Sequence, residues 1–315
     1  MSYTTIFNKF HVEFNTYIII FAELCSSKIH IMYMTIITSV KELEVALAHE
    51  RAGNKSIGLV PTMGALHAGH ASLVKRSVEE NDITVVSVFV NPTQFNDKND
   101  LKNYPRTLQA DCDLLEGLGV DIVFAPNEEE IYPSPDTRVF SYPPIDTVME
   151  GERRPGHFNG VCQIVSKLFY MTQPDVAYFG EKDFQQVAVV RAMIADLGLS
   201  LKLVACPIVR EESGLAMSSR NTLLTSHERD LACNISKMLF ESVDYAKMHS
   251  VKETREKVIC ELNAHDGLDV EYFHIVNGIT LQEVDSWDDA DEVVGCITVF
   301  CGHRPVRLID NIRYK

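Results

Sequence analysis

The chain has 315 residues, of which 46% are hydrophobic, 9% aromatic and 23% charged. At roughly 150 residues per domain, this length predicts about two globular domains, and the composition excludes a disordered or collagen-like chain. The net charge is −15 and the pI is about 5.2. Because such an acidic chain lacks the broad basic surface that a nucleic-acid backbone requires, we expect no nucleic-acid partner and look for small-molecule substrates.

Residues 1–33 differ from the rest of the sequence, since they mix aromatic residues and isoleucines without a clear period and contain neither Gly nor Pro. Their most apolar run, 17–22, is shorter than the ~7 to 15 apolar residues of a signal peptide and follows no basic cluster. Nor does any stretch reach the ~20 apolar residues that span a bilayer, so we expect no membrane partner. We predict that the functional chain begins at Met34 and that the extension 1–33 is dispensable for activity.

Ser39 is the expected N-cap of a first helix over 40–51, and from Ser56 to Cys206 short apolar runs alternate with helical patterns. Strands are predicted at 57–60, 84–90, 121–125, 176–179 and 201–206, with helices at 69–81, 107–118, 159–172 and 184–197. Continuous apolar strands separated by helices are typical of a parallel sheet covered on both faces. The pattern predicts an α/β fold with a Rossmann-like, doubly wound sheet over 34–208, which binds ligands beyond the carboxyl ends of its strands.

The pattern changes after about Val209. Helices are predicted at 226–248 and 252–264, and short strands at 270–276, 295–300 and 306–308. These elements predict a smaller α+β domain over 209–315. We expect this domain to close as a lid over a bound nucleotide, because a reactive intermediate must be protected from water.

Eight cysteines are scattered along the chain, and none forms a Cys-x-x-Cys pair. In a chain of this size, that distribution is typical of reduced thiols in a cytoplasmic protein. We therefore expect a cytoplasmic location and no disulfide framework.

The first predicted strand is followed by a loop that ends in His67-Ala68-Gly69-His70, at the start of a predicted helix. Two histidines three residues apart share one side of the first helical turn, beside free backbone N–H groups and the positive end of the helix dipole. The arrangement predicts phosphate binding. A zinc pair is the alternative, although no third ligand follows at motif spacing. The motif resembles the HIGH signature of nucleotidylyl transferases and class I synthetases.

That superfamily pairs its histidines with a second phosphate clamp of the KMSKS type, and residues 214–221 (GLAMSSRN) fill this position here. The hydroxyls of Ser218 and Ser219 and the guanidinium of Arg220 can bind phosphate oxygens and neutralise their charge. Alone, such a loop would be interpreted as a solvated turn. Following a His-x-Gly-His motif, it predicts the second half of a triphosphate site.

Two further loops follow predicted strand ends. In the first, Asn91 and Gln94 offer amides for directional recognition of a substrate. In the second, Lys182 offers a cation for phosphate, with Asp183 and Gln186 as hydrogen-bonding groups beside it. A helix cap alone would explain Asp183, but the position of both loops at strand ends favours a shared site.

Together these segments resemble the pantothenate synthetase family, the ligases that join pantoate to β-alanine. The resemblance runs from about Met34 to the C-terminus and includes residues 104–107 (YPRT), 154–158 (RPGHF) and 307–312 (RLIDNI). The loops at 60–64 (VPTMG) and 90–95 (VNPTQF) discriminate this family from the rest of the superfamily. Thr93 is a departure, because the family mostly has Met at this position.

The resemblance implies an ATP-dependent reaction that passes through pantoyl adenylate and yields pyrophosphate, AMP and pantothenate. It implies that His70 is the usual proton donor and that the catalytic residues are His67, His70, Lys182, Ser218, Ser219 and Arg220. The ATP-binding residues that it implies are Met63, Gly64, Ala65, Leu66, His67, Ala68, Gly69, His70, Gly180, Glu181, Lys182, Asp183, Val209, Met217, Ser218, Ser219 and Arg220.

For the other substrates, the resemblance matches Gln94 and Gln186 to pantoate-binding glutamines, places Gln94 beside β-alanine, and adds Asn91 to this group. It implies Mg²⁺ that accompanies ATP as co-substrate, with Asp111 as a nearby carboxylate for the metal, and no tightly bound organic cofactor. It also implies a homodimer.

Two other functions compete with this interpretation. A nucleotidyltransferase of the same superfamily would leave the nucleotide on its product, and the histidine motif does not separate the two, although the glutamine loops favour the ligase. A regulatory protein that binds nucleotide without chemistry conflicts with the intact set of clamp residues. A tRNA synthetase is excluded because the length and acidity leave no basic anticodon module.

Overall fold

The computed structural model describes residues 34–96 and 98–315, and the predicted extension 1–33 lies outside the described residues. The strands are β1 (Thr35–Ile37), β2 (Ile57–Thr62), β3 (Ile83–Val88), β4 (Ile122–Phe124), β5 (Val176–Gly180), β6 (Lys202–Cys206), β7 (Leu268–Asn277), β8 (Val293–Cys301) and β9 (Val306–Arg313). The helices are α1 (Val40–Ala52), α2 (Ala68–Glu80), α3 (Lys98–Asn103), α4 (Leu108–Gly117), α5 (Glu128–Ile131), α6 (Glu150–Arg153), α7 (His157–Thr172), α8 (Phe184–Asp196), α9 (Ser226–Ala246) and α10 (Val251–Asn263). Short 3₁₀ turns cover Pro92–Gln94, Glu181–Asp183 and Ser219–Leu223.

The first six strands form one parallel sheet in the order β1-β4-β3-β2-β5-β6. Successive residues of β2 face opposite sides, as the period of a strand requires. Leu59 packs into a cluster with α1, α7 and α8, whereas Val60 packs into a second cluster with α2 and α4. The predicted doubly wound α/β fold is therefore confirmed.

The last three strands form a smaller antiparallel sheet in the order β7-β8-β9. Its apolar residues share a core with α9 and α10, in which Leu239 and Val258 pack with Phe273 and Val299. This confirms the predicted C-terminal α+β part. The boundary that we place at 208/209 stays a prediction.

The start of α1 shows how a local prediction can be right for a different reason. Ser39 is its N-cap, but its side chain makes no capping hydrogen bond. Instead the Glu130 carboxylate, 90 residues later, accepts from the Val40 backbone N–H at 3.1 Å. Strand β1, immediately before this helix, is only three residues long and was not predicted.

Glu150, the first residue of α6, connects this helix to the C-terminal sheet. Its carboxylate accepts two hydrogen bonds from Arg307 at 2.7 and 2.6 Å, one from the Tyr272 hydroxyl at 2.8 Å and one from the Thr298 hydroxyl at 3.1 Å. Burial opposes the charge of Glu150, but the hydrogen bonds and charge of Arg307 outweigh it and lower the pKa to about 2. The C-terminal sheet is thus attached by a largely buried ionic group as well as by apolar contacts.

Within the described residues, no helix is long and apolar enough to cross a membrane. The seven cysteines in this part of the chain are free thiols.

Candidate active site

The site lies where the order of the parallel sheet reverses. Strand β2 pairs with β3 on one side and with β5 on the other. Loops from β2 and β5 therefore leave the sheet at neighbouring carboxyl ends, which is where ligands bind in open α/β sheets. The first loop leads to His67 and His70, and the second carries Lys182.

The loop after β2 is held in shape by Asp111 of α4. Its carboxylate accepts from the backbone N–H of Ala65 at 3.0 Å and of Leu66 at 2.8 Å, and from the Thr107 hydroxyl at 3.2 Å. Ala65 has a φ of +50°, in the left-handed region that costs a non-glycine residue about 1 kcal/mol or more. Asp111 is buried and stabilises this strained turn.

His67 and His70 cap the start of α2 in a reciprocal arrangement. His67 Nδ1 accepts from the Gly69 N–H at 3.1 Å, and His70 Nδ1 accepts from the His67 N–H at 3.3 Å. A Cβ on Gly69 would lie 2.9 Å from the His67 ring and would displace it, so glycine favours this arrangement of the pair. Since each Nδ1 accepts, a neutral ring carries its hydrogen on Nε2, and both histidines become Nε2–H donors.

The histidines are neutral at physiological pH. Burial, with smaller contributions from the neighbouring His67 ring and the charge of Lys182, lowers the pKa of His70 to about 3. Burial, followed by the charge of Lys182, lowers the pKa of His67 to about 4, against the opposing charges of Asp183 and Glu211. With ring centroids 4.1 Å apart, the pair offers two N–H donors without adding positive charge of its own.

Lys182 lies in the 3₁₀ turn that follows β5, and its side chain is 18% exposed. Its Nζ lies 3.9 Å from the Asp183 carboxylate. The turn is held from the C-terminal sheet, because the Asn311 amide donates to the backbone carbonyls of Glu181 at 2.8 Å and Lys182 at 3.0 Å. Lys182 was predicted from the sequence, whereas Asn311 was not.

We call the segment 209–224, which follows β6 and carries the clamp residues, the clamp segment. It is stabilised by a hairpin-like bridge between Arg210 and Ala216. The Arg210 guanidinium forms a bidentate ion pair with Asp310 of β9, at 2.6 and 3.0 Å. Ser218 caps the next turn through its hydroxyl, which accepts from the Arg220 N–H at 3.2 Å. This local structure presents the three predicted clamp side chains on one short turn.

Two residues from the segment after β3 meet this turn. Arg220 forms an ion pair with Asp100 of α3 at 3.0 Å, and the Ser219 hydroxyl lies 3.4 Å from the Tyr104 hydroxyl. Tyr104 also borders the cleft. The clamp is therefore closed from the opposite side by Tyr104, which the sequence indicated only as part of a resemblance, and by Asp100, which was not predicted.

The amide loop after β3 is a connected network. Asn91 is 1% exposed, and its Nδ2 donates to Gln94 Oε1 at 3.0 Å and to the Gly160 carbonyl at 3.1 Å. The Tyr132 hydroxyl donates to Asn91 Oδ1 at 2.7 Å, which fixes the orientation of that amide. Because Gln94 Oε1 accepts, the Gln94 Nε2 group remains as a donor, 3.4 Å from Met63 Sδ.

Gly160 allows α7 to approach this loop. A Cβ at that position would lie 2.4 Å from the Thr93 carbonyl oxygen. The hydroxyl of Thr93, the departure from the family pattern, donates to Asn91 Oδ1 at 3.2 Å. It therefore reinforces the same network.

One cleft of about 220 Å³ brings most of the predicted residues together. Those that line it are Met63, His67, Gly69, His70, Asn91, Gln94, Gly180, Lys182, Asp183, Gln186, Val209, Met217, Ser218, Ser219 and Arg220. The predicted residues outside its lining are Gly64, Ala65, Leu66, Ala68, Glu181 and Asp111. Asp111 as a metal ligand stays a prediction, and its carboxylate is already engaged by the loop after β2.

The apolar wall of the cleft was not predicted. It is formed by one face of α7, with Val161, Ile164, Val165 and Leu168, and by Phe89 after β3. On the sequence these residues indicate only a buried helix and a strand end. No pattern separates a helix face that borders a cleft from one that packs in the core.

Comparison with known proteins agrees with this geometry. The sequence pattern of the family described as pantoate-beta-alanine ligase matches residues 35–313. The chain is 64% identical over 282 residues to the pantothenate synthetase of Bacteroides thetaiotaomicron, and the match covers 90% of this chain and 99% of the relative.

Solved structures of similar fold are also found. The pantothenate synthetase of Thermus thermophilus is 42% identical with a TM-score of 0.83, covering 89% of this chain and 99% of that one. The pantoate-beta-alanine ligase of Francisella tularensis, solved with beta-gamma ATP and β-alanine, is 35% identical with a TM-score of 0.76, covering 90% and 98%.

Proposed function

This chain belongs to the pantoate–β-alanine ligase family, and from that premise we propose which residues perform each step of the ligation. It is an enzyme that joins pantoate to β-alanine. The observation that supports the assignment of its residues is their convergence: two histidines, a lysine, the clamp and two glutamines line one cleft at the switch point of the sheet.

In the first step, the pantoate carboxylate attacks the α-phosphorus of ATP and pyrophosphate leaves, which gives pantoyl adenylate. Negative charge builds on the α-phosphate and on the departing pyrophosphate. We assign His67 and His70 to this charge as neutral Nε2–H donors and Lys182 as the cation. Preorganised donors of this kind contribute roughly 3 to 4 kcal/mol each to lowering the barrier.

The clamp residues hold the rest of the triphosphate. Ser218 and Ser219 offer hydroxyls, and Arg220 offers a guanidinium whose Asp100 partner is 39% exposed. That ion pair leaves several N–H donors of Arg220 for phosphate oxygens. The remaining ATP contacts are assigned to the backbone and side chains that border the cleft between Met63 and His70, at Gly180, and at Val209 and Met217.

Pantoate is assigned to the amide side of the cleft. Gln94 presents a donor because Asn91 occupies its oxygen, and Gln186 lines the same cleft from α8. Donors at this position suit the carboxylate and hydroxyl oxygens of pantoate. Gln94 also borders the proposed position of β-alanine.

In the second step, the β-alanine amine attacks the acyl carbon of the adenylate. The new C–N bond forms, the C–O bond to the phosphate breaks, and AMP leaves while the nitrogen loses its extra proton. The apolar wall of α7 limits access of water to the acyl carbon, which protects the adenylate from hydrolysis.

Mg²⁺ is proposed as the companion of ATP. Within 34–96 and 98–315, no three His, Cys, Asp or Glu side chains come together as a metal site. A site without such a cluster is compatible with an ion that is held mainly by phosphate oxygens and water, as Mg²⁺ commonly is. The ion would neutralise phosphate charge when ATP binds.

We also propose that the enzyme works in the cytoplasm as a homodimer. Reduced thiols support the location, and family resemblance supports the dimer. Light scattering of the full chain measures the oligomeric state, and a monomer at micromolar concentration would overturn that part.

Product analysis with ATP, pantoate and β-alanine, each omitted in turn, tests the reaction course. With ATP and pantoate present and β-alanine omitted, we expect labelled pyrophosphate to exchange into ATP. We expect AMP to accumulate only with β-alanine present, in equal amount to pantothenate. A nucleotide that remains on the final product would instead favour the nucleotidyltransferase alternative.

A further inference from the structure

Strand β9 contacts the active-site turn that carries Lys182. Asn311 lies in the second half of this strand, paired with Cys296 of β8, and is 8% exposed. The two hydrogen atoms of its amide serve two consecutive carbonyls, those of Glu181 at 2.8 Å and Lys182 at 3.0 Å. Both donors that an Asn side chain possesses are thus used on this one turn.

The neighbouring residues of β9 reinforce the contact. Asp310 holds Arg210 on the clamp segment, and its Oδ1 also accepts from the Asn311 N–H at 2.8 Å. Arg313 lies 3.8 Å from the Glu181 carboxylate. The position of Asn311 is therefore fixed by the pairing of β9 with β8 and by its neighbours in the strand. Its amide can in turn hold the turn that carries Lys182 in place.

We propose that Asn311 is a positioning residue for the adenylation step, which acts through the Glu181 and Lys182 carbonyls to hold Lys182 at the phosphates. The inference rests on the proposed role of Lys182. A shift of about 1 Å in a catalytic group can lower a rate by about 100-fold, so a residue that never touches the substrate can control the step.

The test uses three substitutions at one position of the full-length enzyme. Asn311→Ala removes both donors, Asn311→Asp keeps the shape but places an acceptor against two carbonyls, and Asn311→Ser restores one small donor. We measure pantoate-dependent pyrophosphate release, with KM for ATP and for pantoate. Asn311→Ala is expected to lower the rate by about 10- to 100-fold and to leave KM for pantoate within about twofold.

The order of the rates of the three variants separates positioning from packing. If Asn311 positions Lys182, the Ser variant should be faster than the Ala variant, and the Ala variant faster than the Asp variant. If Asn311 only fills space, the isosteric Asp variant should be the fastest of the three. Because a protonated carboxyl is a donor again, the rate of Asn311→Asp relative to wild type should rise as the pH falls from about 8 to about 6. If Asp equals or exceeds Ala at the higher pH, the inference is wrong.

Asn277→Ala is the matched control in the same sheet. The side-chain oxygen of Asn277 accepts from the N–H groups of Ile279 and Thr280 within its own turn, at 2.8 and 3.1 Å. We expect Asn277→Ala to change thermal stability but to leave pyrophosphate release near wild type. An equal loss of rate in Asn277→Ala and Asn311→Ala would also overturn the inference. Should Asn311→Ala fail to fold, Asn311→Ser against Asn277→Ala decides the question.

A double variant separates this inference from the proposed function. In a Lys182→Ala background, Asn311→Ala should lower the rate by less than about twofold, because its effect passes through Lys182. A full additional loss would contradict the inference alone. Near-normal pyrophosphate release in Lys182→Ala itself would instead overturn the role assigned to Lys182.

Discussion

The histidine side and the clamp side of the cleft are anchored over very different distances in the chain. The histidine loop is held by Asp111, 45 and 46 residues away, and by the reciprocal caps of His67 and His70. The clamp segment is held by an ion pair between Arg210 and Asp310, 100 residues away. The turn that carries Lys182 is also held from β9, by the hydrogen bonds of the Asn311 amide.

This difference indicates that the histidine half of the cleft is the preformed half. Anchors close in sequence form together with the parallel sheet, so the histidine half is shaped by the same residues that build the fold. The clamp half takes its shape from the C-terminal sheet. A movement of that whole sheet would break the contacts of Glu150 and Asn311. In place of the lid movement of the whole domain 209–315 that we expect from the sequence, we therefore propose that closure over ATP is confined to the segment 211–224.

The largest expected effect is on the histidine side. His70→Ala removes a preorganised donor and should lower the rate of adenylation by about 100-fold or more. Rapid-quench measurement of pyrophosphate release checks this, with His249→Ala, a histidine of the C-terminal part, as control. A loss shared equally by both variants would show that the His70 effect is not specific to the cleft.

A smaller effect is expected from breaking the long-range anchor. Arg210→Met leaves the Asp310 carboxylate buried without its cation, which should lower the free energy of unfolding by about 3 to 5 kcal/mol. We expect KM for ATP to rise by about tenfold, since about 1.4 kcal/mol of ATP binding would be lost. Denaturant unfolding and ATP titrations measure the two quantities.

Arg229→Met is the control, because this residue of α9 forms an ion pair with Glu211 of the same segment. Its ion pair with Glu211 is 46% exposed on the arginine side, and exposed pairs contribute at most about 1 kcal/mol. If Arg229→Met raises KM for ATP as much as Arg210→Met does, the clamp does not depend on the anchor at Asp310.

A still smaller effect is expected from weakening the short-range anchor. Asp111→Asn replaces a charged acceptor by a neutral one and should cost about 1 to 3 kcal/mol of stability, with a loss of adenylation rate of only a few-fold. The Mg²⁺ concentration for half-maximal rate should not change, because the carboxylate is engaged by backbone N–H groups. Asp113→Asn, on the same helix and hydrogen bonded to Gln109, is the control. A raised Mg²⁺ requirement in Asp111→Asn alone would establish Asp111 as a metal ligand.

The smallest effect is expected from pH. Because burial lowers the pKa of His67 to about 4 and of His70 to about 3, both rings stay neutral between about pH 6 and 8. Adenylation should change by less than about twofold in that range and should fall only as the pH approaches about 4, where protonation of Nδ1 breaks the reciprocal caps that orient the two Nε2–H donors. A rate–pH profile with a histidine limb near about 6.5 would contradict the neutral pair.

Features that depend on residues close together in the chain could be predicted from the sequence. The His67 and His70 motif, the turn of Lys182 and most strands were predicted, since strand ends and helix starts are written in local patterns. Strand β1 and the four-residue helices α5 and α6 were not predicted, because so few residues show no period. Asn311 and Arg210 were not assigned either, since their roles depend on which distant segments become neighbours in the fold.

The Glu150 cluster has a consequence for anyone who recombines related enzymes. A crossover placed between residues 150 and 272 would inherit this carboxylate from one parent and the Arg307, Tyr272 and Thr298 groups from the other. Unless both parents share all four groups, the hybrid would bury a lone anion or a lone guanidinium at the junction. Crossovers before Glu150 keep the cluster from one parent and should give many more folded hybrids.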